Sequence, residues 1–236
     1  MNLVLPLSLC VFVKNEAASI RDCFESVLPV VSEIVVVDTG STDGTVDICR
    51  KYTDRIYQVG FSDFGSIRTL SAHLAAYPWV LMLDADERID AADWGKLAEL
   101  VSVPVGVSGD DWELDKAGEL VTDSWALPRK RWADEWMHEQ LEKDVYPDWQ
   151  VRLFRNYVQR PKIYFERRVH ERVAGCVNTV VASEGPTIHH FQNVFKPQTA
   201  LLARQVLYER LQAADIAEGT LHDTPAVVEI DNVKNS

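Results

Sequence analysis

Residues 79–87 read Trp79-Val-Leu-Met-Leu-Asp-Ala-Asp-Glu87, an apolar run that ends in acidic residues. Five apolar residues in a row are typical of a strand that is covered on both faces of a parallel sheet. Open α/β sheets bind their ligands at the carboxyl ends of the strands. The stretch therefore predicts one strand of such a sheet, with an acidic site at its edge.

The same pattern occurs three more times before this stretch. Strands are predicted at 7–13, 33–37 and 55–59, and helical patterns follow all four strands at 17–28, 45–52, 66–76 and 91–101. Strands that alternate with helices indicate an α/β fold with a single Rossmann-like, mainly parallel sheet flanked by helices.

The alternation stops after residue 101. Residues 104–124 are rich in Gly and Asp and predict a loop or hairpin, 149–155 alternate like a strand, and 197–214 carry a helical pattern. We expect one domain over 1–217, made of halves 1–101 and 102–217, with an irregular second half, a C-terminal helix and a flexible tail at 218–236.

Composition excludes several classes of protein. The 236 residues include 24 basic and 36 acidic side chains, which makes the formal charge −12 and argues against binding to nucleic acid. Four scattered cysteines fit neither a disulfide scaffold nor a zinc knuckle. The apolar run 3–13 has no basic residue before it and only eleven residues, so we expect neither a signal peptide nor a membrane span. A cytoplasmic protein is the expectation, with the inner face of the membrane as the alternative location.

Two acidic positions suggest a nucleotide and a metal. Asp84 and Asp86 are two residues apart, and in extended backbone both carboxylates would point the same way and converge on Mg²⁺ or Mn²⁺. Asp38 follows another apolar strand and precedes Gly40, so its turn could approach a base or ribose closely. For each position the alternative is a solvated acidic turn that only satisfies backbone groups.

The motifs resemble family 2 glycosyltransferases, which have the glycosyltransferase A-type fold. The resemblance rests on Val11-Phe-Val-Lys-Asn-Glu16, on 35–45, on Phe64-Gly-Ser-Ile-Arg68 and on 80–88, in the family's order and spacing. Later segments at 149–155, 169–171 and 185–189 are similar to the bacterial subgroup that builds lipopolysaccharide cores and related glycans.

The resemblance implies a donor site and a metal. Asp38 would contact the uracil or ribose, Arg68 the base or phosphate, and Asp84, Asp86 and His189 the divalent ion, Mg²⁺ or Mn²⁺. The full set of expected donor-binding residues is Val13, Asn15, Glu16, Asp38, Gly40, Ser41, Arg68, Asp84, Ala85, Asp86 and Arg152. The expected partners are a nucleotide sugar, UDP-linked by preference, and a saccharide or lipid-linked acceptor. Peripheral membrane association would fit such an acceptor.

Inverting transfer also requires a base that takes the proton of the attacking acceptor hydroxyl. Glu171, in Val169-His-Glu171, is the first choice, and Asp148 is the second. The alternative for Glu171 is a surface carboxylate paired with a neighbouring arginine. Arg152 would assist by contacting phosphate.

Three other functions stay open at this point. A sugar-phosphate nucleotidyltransferase of the same fold would need a glycine-rich loop after the first strand, and residues 13–17 contain no glycine. An aspartyl phosphatase would need Thr or Val where Arg88 stands. A non-catalytic module that binds nucleotide sugars or a partner protein would keep the same carboxylates.

Overall fold

The computed structural model describes residues 3–102, 122–141, 146–156, 163–176, 178–191 and 194–218. The loop or hairpin expected at 104–124 and the tail expected at 218–236 lie almost wholly outside these residues. The division into one domain and a tail therefore stays a prediction.

The first half forms the parallel part of the sheet. Its strands lie in the order β3-β2-β1-β4, and all three pairs are parallel. The strands are β1 (Leu7–Val13), β2 (Glu33–Asp38), β3 (Ile56–Gln58) and β4 (Trp79–Met82), and the helices are α1 (Ile20–Val27), α2 (Thr45–Cys49), α3 (Phe64–His73) and α4 (Trp94–Val101). Val13 is in register with Asp38, so the two strands end at the same edge.

The strands of the second half, together with β5 of the first half, extend the same sheet with mixed pairing. From β4 the order continues β8-β6-β12-β5; β8 is antiparallel to both of its neighbours, and β12 runs parallel to β6 but antiparallel to β5. The strands are β5 (Glu87–Ile89), β6 (Ser124–Trp132), β7 (Gln140–Leu141), β8 (Asp148–Arg155), β9 (Tyr164–Glu166), β10 (Arg172–Ala174), β11 (Thr179–Val181) and β12 (Ile188–His190). Among the described strands, β9 and β10 form a separate small hairpin.

Burial explains why the parallel strands are apolar. Four residues of α1 are buried, Ile20, Cys23, Phe24 and Val27, and they pack with alternate residues of β1 in the larger core cluster. The residues of the opposite parity, such as Cys10, pack in a second cluster against α3. Both faces of the sheet are therefore covered, and the predicted fold class is confirmed.

One detail differs from the sequence-based expectation. Strand β4 ends at Met82, and Ala85 and Asp86 form a turn before β5 begins at Glu87. Asp84 and Asp86 therefore do not lie on one extended strand. The Glu87 N–H donates to the Asp84 carbonyl at 2.9 Å, which closes this turn.

The predicted C-terminal helix forms and is longer than expected. Helix α5 (Gln198–Ala217) has 20 residues, and most of them are exposed or half-buried. Tyr208 contacts the Phe64 ring, and the buried Asp215 accepts from the Arg168 N–H, so the helix packs beside α3. Across the described ranges, no helix combines the length and apolar character that a membrane crossing requires.

Candidate active site

The candidate site lies at the edge where β1, β2 and β4 end. Leu83 donates its N–H to Cys10 in β1, and Phe191, just after β12, donates its N–H to the Asp86 carbonyl at 2.9 Å. The end of β12 is thereby held against the acidic turn that follows β4. Residues from both halves of the sheet meet at this edge.

Two loops form one wall of the site. Asn15 has a φ of 56°, and its N–H donates to Ser41 Oγ at 2.9 Å while its Oδ1 accepts from the Thr42 N–H at 2.7 Å. Asp38 is fully buried, and its carboxylate accepts from the Ser41 N–H at 3.0 Å and from Gln58 Nε2 at 3.3 Å. Asparagine tolerates the left-handed conformation that this contact needs.

The backbone beside these loops is equally constrained. The Val13 carbonyl accepts from both the N–H and the hydroxyl of Thr39, at 2.9 and 3.1 Å. The Glu16 N–H donates to Thr45 Oγ1 at 2.7 Å, and Gly40 has a φ of 100°. A side chain at Gly40 would strain this conformation. The loops after β1 and β2 are thus joined into one surface.

Asp84 is held by two buried arginines. Arg68 Nη2 donates to its Oδ1 at 2.5 Å, and Arg152 Nη2 donates to its Oδ2 at 3.0 Å. Burial alone would raise the pKa of Asp84, but the charges of Arg152 and Arg68 hold it well below its ordinary value. The carboxylate is therefore ionised, and both of its oxygens accept from cations of the chain itself.

These contacts belong to a longer series of ion pairs. Arg68 Nε donates to Glu171, Arg152 Nη2 also donates to Glu87 at 2.9 Å, and Arg129 Nη2 donates to Asp148 at 2.6 Å. Arg129 Nη1 lies 3.4 Å from Glu87. Acidic and basic groups alternate along the series, which runs Glu171, Arg68, Asp84, Arg152, Glu87, Arg129 and Asp148. Each buried charge thus has a counter-charge, which is the condition for burying it.

Asp86 has a different set of neighbours. His190 Nε2 lies 3.6 Å from its Oδ1, and Lys196 Nζ lies 3.4 Å from its Oδ2. Lys196 also contacts Glu16 Oε1 at 2.7 Å. Burial opposes ionisation of Asp86, but the nearby His190 imidazole and the charge of Lys196 place the pKa of Asp86 below its ordinary value.

His189 lies away from Asp86. Its ring stacks on Trp132 with centroids 5.8 Å apart, and its Nδ1 accepts from Trp132 Nε1 at 3.0 Å. Burial and then the nearby Lys130 lower the pKa of His189. Successive side chains of a strand point to opposite faces of the sheet. His190 therefore lies beside Asp86, where the resemblance implied His189.

The remaining site residues that the sequence names also have definite places. Ala85 is buried in the larger core cluster, and Arg152 contacts carboxylates from its position in β8. Asp148 begins β8 and Glu171 directly precedes β10, so both base candidates come from the second half.

Sequence reasoning missed four residues of the site: Glu87, Arg129, His190 and Lys196. Glu87 directly follows Asp86 and His190 directly follows His189, so proximity to a motif could have identified them. Arg129 and Lys196 carry no local signal, because only the pairing of distant segments brings them here.

A divalent ion has a limited donor set at this edge. Within the part of the chain that is described, no three His, Cys, Asp or Glu side chains converge as a metal site. Asp86 and His190 supply one carboxylate and one imidazole, and His190 Nδ1 is buried without a hydrogen-bond partner among the described residues. This pair fits an ion such as Mn²⁺ or Mg²⁺ that takes few protein ligands and completes its shell with substrate phosphate and water.

The chain matches known proteins over this region. The family model for glycosyl transferase family 2 matches residues 8–119. The lipopolysaccharide core biosynthesis glycosyltransferase LpsC of Rhizobium meliloti is 33% identical over 122 residues, which are 50% of this chain and 44% of LpsC. A TPR repeat-containing protein of Synechococcus elongatus is 29% identical over 71% of this chain and 35% of its own length. The chain therefore spans less than half the length of these relatives.

Solved structures show the same architecture. The S. aureus TarS 1-349 structure in complex with UDP-GlcNAc superposes with a TM-score of 0.53 at 17% identity, and covers 80% of this chain and 60% of its own. This likeness confirms the glycosyltransferase A-type fold. The matched residues 8–119 contain the Asn15, Asp38 and Asp86 loops, and the match identifies this region as a glycosyl transferase family 2 domain.

Proposed function

We propose that the protein is a metal-dependent, inverting glycosyltransferase. It transfers a sugar from a nucleoside-diphosphate donor to a saccharide or lipid-linked acceptor in cell-surface glycan synthesis. The observation that carries the proposal is the Asp86 and His190 pair, which lies at the same sheet edge as the Asn15 and Asp38 loops. A diphosphate bound there would lie between a nucleotide-binding wall and a metal-binding pair.

In this proposal Asp86 and His190 hold Mg²⁺ or Mn²⁺. The ion supplies a Lewis acid that neutralises charge on the departing diphosphate. Asp84 acts indirectly, since its oxygens bind Arg68 and Arg152 and orient both guanidinium groups. Those buried arginines add fixed positive charge next to the leaving group.

Glu171 is the base that we propose, with Asp148 as the second candidate. Asp148 accepts from Arg129 and from Gln150, and although burial works against it, the Arg129 charge lowers its pKa. A lowered pKa makes a carboxylate a weaker proton acceptor. Among the described residues Glu171 pairs with Arg68, which also contacts Asp84 and so lies between the proposed base and the metal side of the site.

The similar proteins suggest which donor and which acceptor should be tested first. TarS is described with UDP-GlcNAc, so a uridine-diphosphate sugar is the first donor to test, with Asp38 at the uracil or ribose. LpsC is named for lipopolysaccharide core biosynthesis, which suggests a growing saccharide or lipid-linked acceptor. A cytoplasmic enzyme that associates peripherally with the inner face of the membrane would reach such an acceptor.

The Asp86→Asn variant tests the proposal. We expect nucleoside diphosphate release from a panel of nucleotide sugars to fall at least about a hundredfold, because the carboxylate that holds the ion is lost. Circular dichroism should show an unchanged fold. The matched control is Asp47→Asn, which removes an exposed carboxylate paired with Arg50. Equal turnover in Asp86→Asn and the control would refute the metal role.

A comparison of His190→Gln with His189→Gln tests the choice of imidazole. We expect only His190→Gln to weaken Mn²⁺ binding, by about 10- to 100-fold, since the His189 ring packs against Trp132. Titration with Mn²⁺ followed by electron paramagnetic resonance measures the effect. The opposite order of effects would restore His189 as the ligand.

One observation favours a second candidate, a non-catalytic module that binds nucleotide sugars. Every carboxylate oxygen of Asp84 and Asp86 already lies near a basic side chain of the protein. A module of this kind would bind a uridine diphosphate sugar without consuming it. Calorimetric binding without product release, over a broad acceptor panel, would favour it.

A further inference from the structure

The ammonium group of Lys196 lies inside the candidate site, beside two carboxylates. Its Nζ lies 2.7 Å from Glu16 Oε1 and 3.4 Å from Asp86 Oδ2. The three side chains are only 16%, 12% and 5% exposed, in the order Lys196, Glu16 and Asp86. The ammonium thus joins the loop after β1 to the turn after β4, next to the His190 imidazole.

Lys196 lies in the segment that connects the last strand to the C-terminal helix. It lies between β12 and α5, directly before Pro197, which caps the helix. Val194 donates its N–H to the Phe191 carbonyl at 3.0 Å, and the Phe191 N–H donates to the Asp86 carbonyl at 2.9 Å. The long lysine side chain reaches the carboxylates of Glu16 and Asp86 and has several rotatable bonds.

A divalent ion and Lys196 compete for the same carboxylate. An ion held by Asp86 and His190 would place two positive charges within contact distance of the ammonium, and like charges at this range repel strongly in a buried site. Lys196 must therefore leave Asp86 when the ion arrives. Glu16 remains as its second anchor, so the ammonium stays within the site.

We propose that Lys196 is a donor-binding residue that exchanges Asp86 for the donor diphosphate when the divalent ion binds. This inference rests on the proposed function. With the ion and the donor bound, the Lys196 ammonium would be free to bind phosphate oxygens, which a lysine does as a compact point charge. Lys196 thereby lowers the affinity for metal alone and raises the affinity for the metal and diphosphate together.

The Lys196→Gln variant tests the exchange with two binding measurements. Loss of the free Mn²⁺ resonance signal gives the affinity for metal without nucleotide, and we expect about tenfold tighter binding than in the wild type. Calorimetry with UDP at saturating Mn²⁺ gives the second affinity, and we expect about tenfold weaker binding. Lys196→Arg keeps the charge and should return the metal affinity toward the wild-type value.

Lys96→Gln is the matched control, because Lys96 on α4 is half-exposed and pairs with Asp93, which directly precedes that helix. Unchanged or weaker Mn²⁺ binding in Lys196→Gln would overturn the competition. Tighter Mn²⁺ binding with unchanged UDP affinity would overturn the exchange. Equal UDP affinity of the wild type with EDTA and with Mn²⁺ would mean that Lys196 replaces the metal, which also overturns it.

Failure of this inference is separable from failure of the proposed function. A wild-type protein that binds neither Mn²⁺ nor UDP overturns both. A wild-type protein that binds both ligands, with Lys196→Gln matching Lys96→Gln in each measurement, overturns only the role of Lys196.

Discussion

Arg68 connects carboxylates that belong to different halves of the chain. Its guanidinium is almost fully buried and contacts Asp84 and Glu171. Burial would lower the pKa of Arg68, but the charges of Asp84 and Glu171 outweigh burial and raise the pKa above its ordinary value. At the residue scale, one buried guanidinium thus holds two carboxylates from remote parts of the chain without exposure to solvent.

The Arg68→Met variant should be strongly destabilised. Removal of the guanidinium leaves two buried carboxylates without this partner, which costs about 3–5 kcal/mol of the free energy of unfolding. Urea denaturation measures the loss. The control Arg50→Met removes an exposed pair with Asp47 and should cost less than about 1 kcal/mol. Similar losses in both variants would show that the buried pairs contribute no more than surface ones.

Asp148 gives a prediction about pH. Despite its burial, the Arg129 charge lowers its pKa in the folded protein, so the folded state binds fewer protons than the unfolded state at mildly acidic pH. Its contribution to stability is therefore complete above the unfolded pKa of about 4 and is lost as the pH falls through the lower folded pKa.

The Asp148→Asn variant should consequently be less stable than the wild type at pH 7, by about 1–3 kcal/mol. The difference should shrink when both proteins are unfolded in urea at progressively lower pH. A difference that stays constant down to the acid transition of the wild type would contradict the lowered pKa.

Helix α3 delivers Arg68 to the site through a close contact with the backbone. Asp63 caps the helix by accepting from the Ser66 N–H at 2.8 Å. A Cβ atom on Gly65 would lie 2.3 Å from the Arg167 carbonyl oxygen and 2.8 Å from that of Phe165. The absence of a side chain at Gly65 therefore lets the first turn of α3 contact the backbone that leads to Glu171.

The Gly65→Ala variant should push these segments apart. Backbone atoms cannot yield as a side chain does, so we expect a loss of about 1–3 kcal/mol in unfolding free energy and weaker donor binding. Gly95→Ala is the control, because nothing lies within 4 Å of a Cβ atom in that helix and alanine should stabilise it by up to about 1 kcal/mol. Stabilisation by both changes would refute the close contact.

At the scale of the whole molecule, one sheet passes through both predicted halves. Trp79, Val80 and Leu81 of β4 pair with residues of β8, so the parallel part and the mixed part share a continuous hydrogen-bond ladder. The larger core cluster likewise contains residues from both halves, including Leu9 and Leu153. The candidate site lies across this junction.

Unfolding should therefore be a single cooperative transition. Five of the seven tryptophans lie between residues 112 and 149, so fluorescence reports mainly on the second half, whereas far-ultraviolet circular dichroism reports on the helices of both halves. We expect the two urea curves to coincide, as two-state folding requires. Separate midpoints would show that the halves are independent domains.

Local sequence patterns were sufficient for much of the fold. The four parallel strands, the helices after them and the C-terminal helix follow from hydrophobic periodicity, because burial on one or two faces imposes a repeat that can be read residue by residue. The same pattern also predicts that Asp38 and Asp86 lie at one edge of the sheet, because the carboxyl ends of parallel strands coincide. The mixed pairing of β8, β6, β12 and β5 does not follow, because it depends on contacts between distant segments.

The amino-acid sequence by itself determined the fold class, the position of the acidic turn and the identity of the loops after β1 and β2. Only the tertiary structure decided that His190 and not His189 faces Asp86, that Arg68 joins Asp84 to Glu171, and that Lys196 lies between Glu16 and Asp86. The physical reason is that the direction of a side chain in a three-residue strand depends on its register with neighbouring strands. Ion pairs between remote segments likewise produce no repeating pattern in the sequence from which they could be predicted.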